Sequence, residues 1–554
     1  MTASTAGANG AAPIPAVAKP EPSLAKASGS MAIATLVSRI TGFGSRALLL
    51  WIIGSGVITD SYNAALTVPL QIYELLLGGV LTSVLVPLLV RAQKDDADGG
   101  LAYTQRLLTM GPVLAAGATV VAVACAPLLT KIYVDGSTNK ANPELATAFA
   151  YLLLPEIVFF AIGALFMAVL NARGVFGPTA WAPVMNNVVV VVTLGVYALL
   201  PGELTLNPVR MTDAHLLVLG AGTTLGIAVQ AFVMLPAMRR VGVRFRWRWG
   251  WDKRLTEFAG LAGWTSLYAI FGIVGIVVNT RVATAAANGS LTQYSLAWQL
   301  FQLPYGILGV SLLTAIMPRM SRNAADGNIK AVVGDLGLGT RLMALMLVPV
   351  SGALTVIGSD IGVSIFNLGK TSYDQAYNLG TTLAVSAFGL LPYAVNLLQM
   401  RVFQAMKDAR TPALIMLMMM AFKIPAILLC PKLLAPEDVV LGLATINSFT
   451  FVVGWVIGDI WLRIRLGRLE TGKTLRSVAL AVFATVIGGS IMFSASVLVD
   501  WIVPVGISNY WYSVVSLVTA GPLGLLATFA VLAALDIEEL RPALNRIGRI
   551  VRRK

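Results

Sequence analysis

The feature that most limits what this chain can fold into is a repeating one. Long apolar stretches are separated by connections that are alternately crowded with Lys and Arg and nearly empty of them. Fourteen stretches are mostly apolar over about 20 residues or more, the length needed to cross roughly 30 Å of hydrocarbon. The crowded connections include Arg239, Arg240, Arg244, Arg246, Arg248, Lys253 and Arg254, then Arg319, Arg322 and Lys330, then Arg401, Lys407 and Arg410, then Arg463 to Arg476, and finally Arg541 to Lys554. The intervening ones hold little beyond Lys131, Lys140, Arg210, Lys370 and Lys432. Short cytoplasmic loops retain cationic residues, so both termini are expected on the cytoplasmic side of a membrane, which requires an even number of spans.

Composition agrees. A mean hydropathy of +0.79, with 57% hydrophobic and 12% charged residues, excludes an ordinary soluble domain. The net charge of +14 is read as basic loops facing an anionic leaflet rather than nucleic acid. Cys125 and Cys430 lie in different spans and give neither a metal spacing nor a disulfide framework. His215 stands at a helix edge with no evident partner, and no cofactor, Walker, nucleophile-elbow or zinc motif is present, so an enzyme is not expected.

The chain also repeats at an offset of about 235 residues. Arg46 precedes Pro69 by the same spacing as Arg281 precedes Pro304, and Gly79-Val80 is echoed by Gly309-Val310. Leu154-Pro155 leads to Ala172-Arg173 as Leu391-Pro392 leads to Ala409-Arg410. Such an offset spans six helices, an even number, so the two halves enter the membrane in the same direction. The expected fold is an all-α polytopic membrane protein of about 14 transmembrane helices, in two pseudo-symmetric six-helix lobes plus two C-terminal helices. The expected parts are a disordered cytoplasmic tail (1–30), an N-terminal lobe (31–240), a basic linker (241–254), a C-terminal lobe (255–465), helices 13 and 14 (466–537) and a basic tail (538–554). Parallel repeats of this kind build alternating-access transporters, with a site between the lobes. Pro155, Pro304 and Pro349 are among the prolines expected to bend spans.

Charges inside spans mark the candidate site, because an Arg at mid-span costs about 2.5–3.5 kcal/mol. Arg39 and Arg46 are seven residues apart and share one helix face. The repeat sets Arg281 opposite Arg46, where three guanidiniums would suit a phosphate or pyrophosphate; snorkelling to interfacial water is the alternative for Arg281. Glu74 and Glu156 are candidates for coupling or for structural ion pairs, with Glu156 placed to line a broken helix after Pro155. Lys423 is a candidate for the cavity wall, and Asp60 for a turn, a cap or a functional role.

Ser38-Arg39-Ile40-Thr41-Gly42-Phe43, followed by Thr59-Asp60 and Pro69, resembles the first-helix signature of the MurJ/MviN lipid II flippases. Leu170-Asn171, Phe176-Gly177-Pro178, Ala182-Pro183 and Asn186-Asn187 resemble that family's link from helix four to five. Pro304, Gly306, Gly309-Val310 and Pro318-Arg319-Met320-Ser321 resemble its eighth helix. The resemblance implies a fold of the multidrug/oligosaccharidyl-lipid/polysaccharide exporter class. It implies lipid II, the undecaprenyl-pyrophosphate glycopeptide precursor of peptidoglycan, as substrate, with membrane lipids and cell-wall synthesis and division proteins as partners. It also implies a cationic cavity containing Arg39. The departures are specific: Ser45 stands at the family's second arginine, with Arg46 one residue later and about 100° around the helix. Tyr73 and Gln299 occupy two other arginine positions, and Gln302 replaces an acid. Some related actinobacterial members continue into a soluble pseudokinase region; this sequence stops at Lys554 before one. Two rival functions use the same residues: a small-molecule or drug antiporter coupled through Glu74 or Glu156, and a non-transporting scaffold that recruits cell-wall enzymes through its basic tail.

Overall fold

The computed structural model describes residues 24–75, 85–134, 141–250, 252, 259–502, 508–535, 537 and 539–541. Every regular element among these residues is helical. Twelve helices are long and apolar enough to cross a membrane, and a bent pair makes a thirteenth. The second span expected from sequence, Ala64–Val90, is shared between two shorter helices and residues 76–84, which lie outside the described residues.

The first bundle holds α1 (Leu24–Ile53), α2 (Val57–Leu75), α3 (Val86–Asp95), α4 (Leu101–Ala124), α5 (Ala126–Tyr133), α6 (Pro143–Leu153), α7 (Glu156–Ala172), α8 (Gly177–Leu199), α9 (Ala214–Phe232) and α10 (Leu235–Arg240). Helix α1 begins seven residues before the expected Met31 because Leu24-Ala25-Lys26-Ala27 continues the helix with good helix formers. Helices α6 and α7 bend by 40° at Leu154-Pro155, where Pro155 has no N–H to give the preceding turn.

The second bundle holds α11 (Ala259–Ala286), α12 (Ser290–Pro304), α13 (Val310–Ala325), α14 (Ile329–Phe366), α15 (Tyr373–Ser386), α16 (Leu390–Ala405), α17 (Arg410–Leu433) and α18 (Val439–Leu466). A π-turn at Tyr305–Gly309 joins α12 to α13 just after Pro304. In α14 the break falls at Ile357 rather than at Pro349, which stays inside regular helix. Helices α19 (Thr471–Ile502) and α20 (Asn509–Ala534) pack on each other and on α14. A Cβ at Gly488 would lie 2.6 Å from the Gly524 carbonyl oxygen, so glycine sets how closely α19 and α20 approach.

Polar clamps hold α19 and α20 to α14 near both of its ends. Near the start, Arg341 Nη1 meets Glu470 at 2.8 Å and its Nε meets Glu539 at 2.6 Å. Near the end, Ser516 Oγ donates to Asp360 Oδ2 at 2.8 Å.

The two bundles are stitched together at the end that carries few cations. Lys370 N donates to the Trp51 carbonyl, Trp51 Nε1 to the Ile365 carbonyl and Gln375 Nε2 to the Ser55 carbonyl, at 3.0, 2.8 and 3.0 Å. At the basic end the ion pairs Arg106–Asp252, Arg319–Asp335, Arg463–Asp459 and Arg465–Asp408 each stay within one bundle or its own connections. The seam is therefore closed on one side of the molecule.

Candidate functional site

Helix α1 runs antiparallel to α12 and α13, and the two meet along one register. Ser55 Oγ donates to the Gly289 carbonyl at the closed end. One step along, Arg46 and Gln299 line one chamber. Further toward the basic end the Arg39 guanidinium lies against Gly306, where a Cβ would collide with it. The seven-residue spacing thus puts both arginines on the face of α1 that meets the second bundle.

Arg39 Nε is buried with no hydrogen-bond partner. The guanidinium is within electrostatic reach of the phenols of Tyr305 and Tyr393, Arg401 of α16 is within reach of Tyr268 and Tyr305, and Glu74 of Tyr73, Tyr268 and Tyr393. Side chains of both bundles thus lie within electrostatic range of one another as a loose polar ring of two guanidiniums, one carboxylate and phenolic hydroxyls, with Arg401 exposed and donating to Gln404 Oε1 at 2.9 Å. A wall of aromatic rings backs it. Tyr305 and Tyr393 meet edge to face at 5.0 Å, and Trp298 stacks on Phe301 and Phe451. An unpartnered guanidinium beside neutral phenols suits a phosphate oxygen, which accepts from both kinds of donor.

Asp60 belongs to the seam. It is fully buried, and its carboxylate accepts from Gly289 N at 2.8 Å, Thr292 N at 2.9 Å and Thr292 Oγ1 at 2.6 Å. The N-cap residue of α12, Gly289, has no side chain to cap that helix, so a carboxylate from the other bundle does so.

Other expected residues lie elsewhere. Arg281 does not join Arg39 and Arg46: its Nη1 donates to the Lys131 carbonyl at 2.9 Å, tying α11 to α5 on the closed side. Lys423 lies inside the second bundle, buried, with Nζ donating to Asn447 Oδ1 at 2.6 Å. His215 has partners after all, with Nδ1 3.6 Å from Asp213 and its ring edge-on to Tyr197. Sequence reasoning missed Tyr268, Tyr305 and Tyr393, and that Arg401 lies within electrostatic reach of two of them. A signal existed in the repeated Leu-Pro-Tyr of Leu303-Pro304-Tyr305 and Leu391-Pro392-Tyr393.

The family model for lipid II flippase MurJ matches residues 50–511. This chain belongs to the MurJ family. Among curated relatives, a probable lipid II flippase MurJ of Rhizobium meliloti (strain 1021) is 24% identical over 87% of this chain and 88% of its own length. One from Vibrio cholerae serotype O1 is 23% identical over 92% and 96%. A solved MurJ in an inward closed conformation superposes with a TM-score of 0.72 at 17% identity, covering 93% of this chain and 99% of that one. An inward-facing multidrug resistance MATE transporter gives 0.60 at 14% identity over 78% and 98%. The MurJ fold, with its transporter rather than catalyst character, places the chain in the bacterial membrane as a multi-pass protein. Against that family's pattern, Tyr73 stacks on Phe160 at 4.3 Å in place of an arginine, and Gln299 faces Arg46.

Proposed function

We propose that this protein flips lipid II, carrying the pyrophosphate-linked glycopeptide from the inner to the outer leaflet by alternating access. The observation that carries the reading is the family match over residues 50–511. The polar ring supports it. A pyrophosphate cannot cross hydrocarbon unsolvated, and Arg39, Arg401 and the three tyrosines replace water around it while the prenyl chain remains in lipid.

On this reading the basic end faces the cytoplasm, both termini with it, and the conformation is sealed outside and receptive inside. An inside-negative potential favours outward movement of the anion by about 2.3 kcal/mol per charge per 100 mV. Cell-wall synthesis and division proteins are the partners this reading implies.

The test is leaflet-specific. Depletion of the protein in its host is expected to raise total lipid II while lowering the fraction that an enzyme added outside can cleave. Complementation with Arg39→Ala is expected to fail at normal membrane levels. An unchanged outer fraction after depletion would refute the reading.

A further inference from the structure

Beside the polar ring, a chamber of about 220 Å³ is lined by the first bundle and by Gln299 of α12. Glu156 reaches it from α7, directly after the Leu154-Pro155 bend, and is fully buried. Its Oε2 has no hydrogen-bond partner, and neither has Asn186 Oδ1, which lines the same chamber from α8.

The hydroxyls nearby offer Glu156 no hydrogen. Its Oε1 is 3.5 Å from Thr224 Oγ1, but the Thr224 hydroxyl gives its only hydrogen to the Leu152 carbonyl at 2.6 Å. Thr223 gives its own to the Leu219 carbonyl at 2.6 Å, so Tyr62 must donate its hydrogen to Thr223, 3.0 Å away. The ionisable groups facing Glu156 are Arg46 of α1 and Tyr62 of α2; α8, α9 and α12 contribute only uncharged side chains to the chamber. No ion pair joins Arg46 to Glu156 among the described residues, and Glu156 Oε2 has no partner, so an anionic Glu156 would be buried with that oxygen unsatisfied. Placed on Glu156, a proton supplies the missing hydrogen toward Thr224 and removes the charge. A metal cation would share the chamber with the Arg46 guanidinium, which repels it.

The repeat gives a second line of argument. The offset of 237 residues that relates Leu154-Pro155 to Leu391-Pro392 also relates Asn186 to Lys423 and Glu156 to Tyr393. The second bundle thus carries a fixed amine donor, Lys423 on Asn447, at the position where the first bundle leaves an acceptor open.

We propose that Glu156 is a proton-binding site whose protonation favours the conformation sealed at the cation-poor end. In the cycle, a hydronium outside gives its proton to the Glu156 carboxylate and leaves as water, and the emptied carrier resets. The proton is released to the cytoplasm before the next lipid loads. The cargo in this cycle rests on the flippase reading; the effect of the proton on the bundles does not.

The experiment uses the full chain in lipid nanodiscs, with Cys125 and Cys430 replaced and spin labels at Lys131 and Lys370, one on each bundle beside the seam. The wild-type sealed fraction is expected to rise on acidification, with its ratio to the open form changing by at most about tenfold per pH unit for one linked proton. Glu156→Gln is expected to stay sealed at every pH and to lose lipid II transport. Should Glu156→Gln not fold, infrared spectra decide: the wild type at neutral pH shows a protonated-carboxyl carbonyl band, and Glu156→Asp moves it. A Glu156→Gln protein with the wild-type pH response, or a wild type with no such band, overturns the proposal. A Glu156-dependent pH response without lipid flipping keeps the proton site and removes the flippase reading.

Discussion

Replacing Asp60 with Ala tests how the bundles are held at the seam. The carboxylate makes three hydrogen bonds to the first turn of α12, all between bundles and all fully buried. Hydrogen bonds to a charged group contribute about 1.5–3 kcal/mol each, but the Gly289 and Thr292 donors regain water once the seam loosens. A net loss of about 3 kcal/mol follows for the sealed form. Open to water, Asp60 loses little by truncation, so the change falls almost wholly on one state. The sealed-to-open ratio then drops by about a hundredfold. Asp60→Asn keeps one acceptor oxygen without the charge and is expected to show roughly half the energy. Pulsed electron resonance between labels at Lys131 and Lys370 reads the ratio directly. The reasoning is falsified if Asp60→Ala leaves the distance distribution where it was.

Three further outcomes are expected. Arg341→Ala leaves Glu470 and Glu539 facing each other; with the Glu470 side chain 31% exposed, the cost is about 2 kcal/mol, discounted from about 3–5 for full burial, read as a lower melting temperature and faster proteolysis before Thr471. Hydrogen bonds from Arg341 and Lys473 hold the Glu470 carboxyl below its usual range, so its contribution is present above the unfolded-state pKa and is lost as pH falls through the lower folded value. Melting temperature is therefore expected to fall below about pH 4, with that component absent in Glu470→Gln. Gly306→Ala sets a methyl group against the Arg39 guanidinium and is expected to reduce flipping about tenfold or more at unchanged melting temperature; full activity would mean Arg39 does not act from that position.

How much of this was legible beforehand depended on how far apart the partners lie in sequence. The spans, the shared face of Arg39 and Arg46 and the bend before Glu156 follow from local rules of length, helical period and proline. Arg281 did not. A repeat fixes depth in the membrane well, but azimuth poorly, because each residue of slippage turns a side chain by about 100°. The offset itself drifts from 235 at Pro69 and Pro304 to 237 at Leu154 and Leu391, enough to turn a position to the opposite side of its helix. The tyrosine ring joins α11, α12–α13 and α16 with α1, and no local pattern reports which phenols converge. Asp60 was visible as a turn acid, yet its partners are more than 200 residues away, so only the fold shows what it caps.

The clamps along α14 have a mechanical consequence. With Arg341 fastened near one end and Asp360 near the other, α19 and α20 travel with the second bundle as one body. That body presents a broader cross-section to the surrounding lipid than the first bundle does. When two joined bodies turn against each other in a viscous sheet, the one with less drag turns further. If the protein works by alternating access, the first bundle, carrying Arg39, Arg46 and Glu156, is expected to make the larger swing, with the second bundle as the anchor.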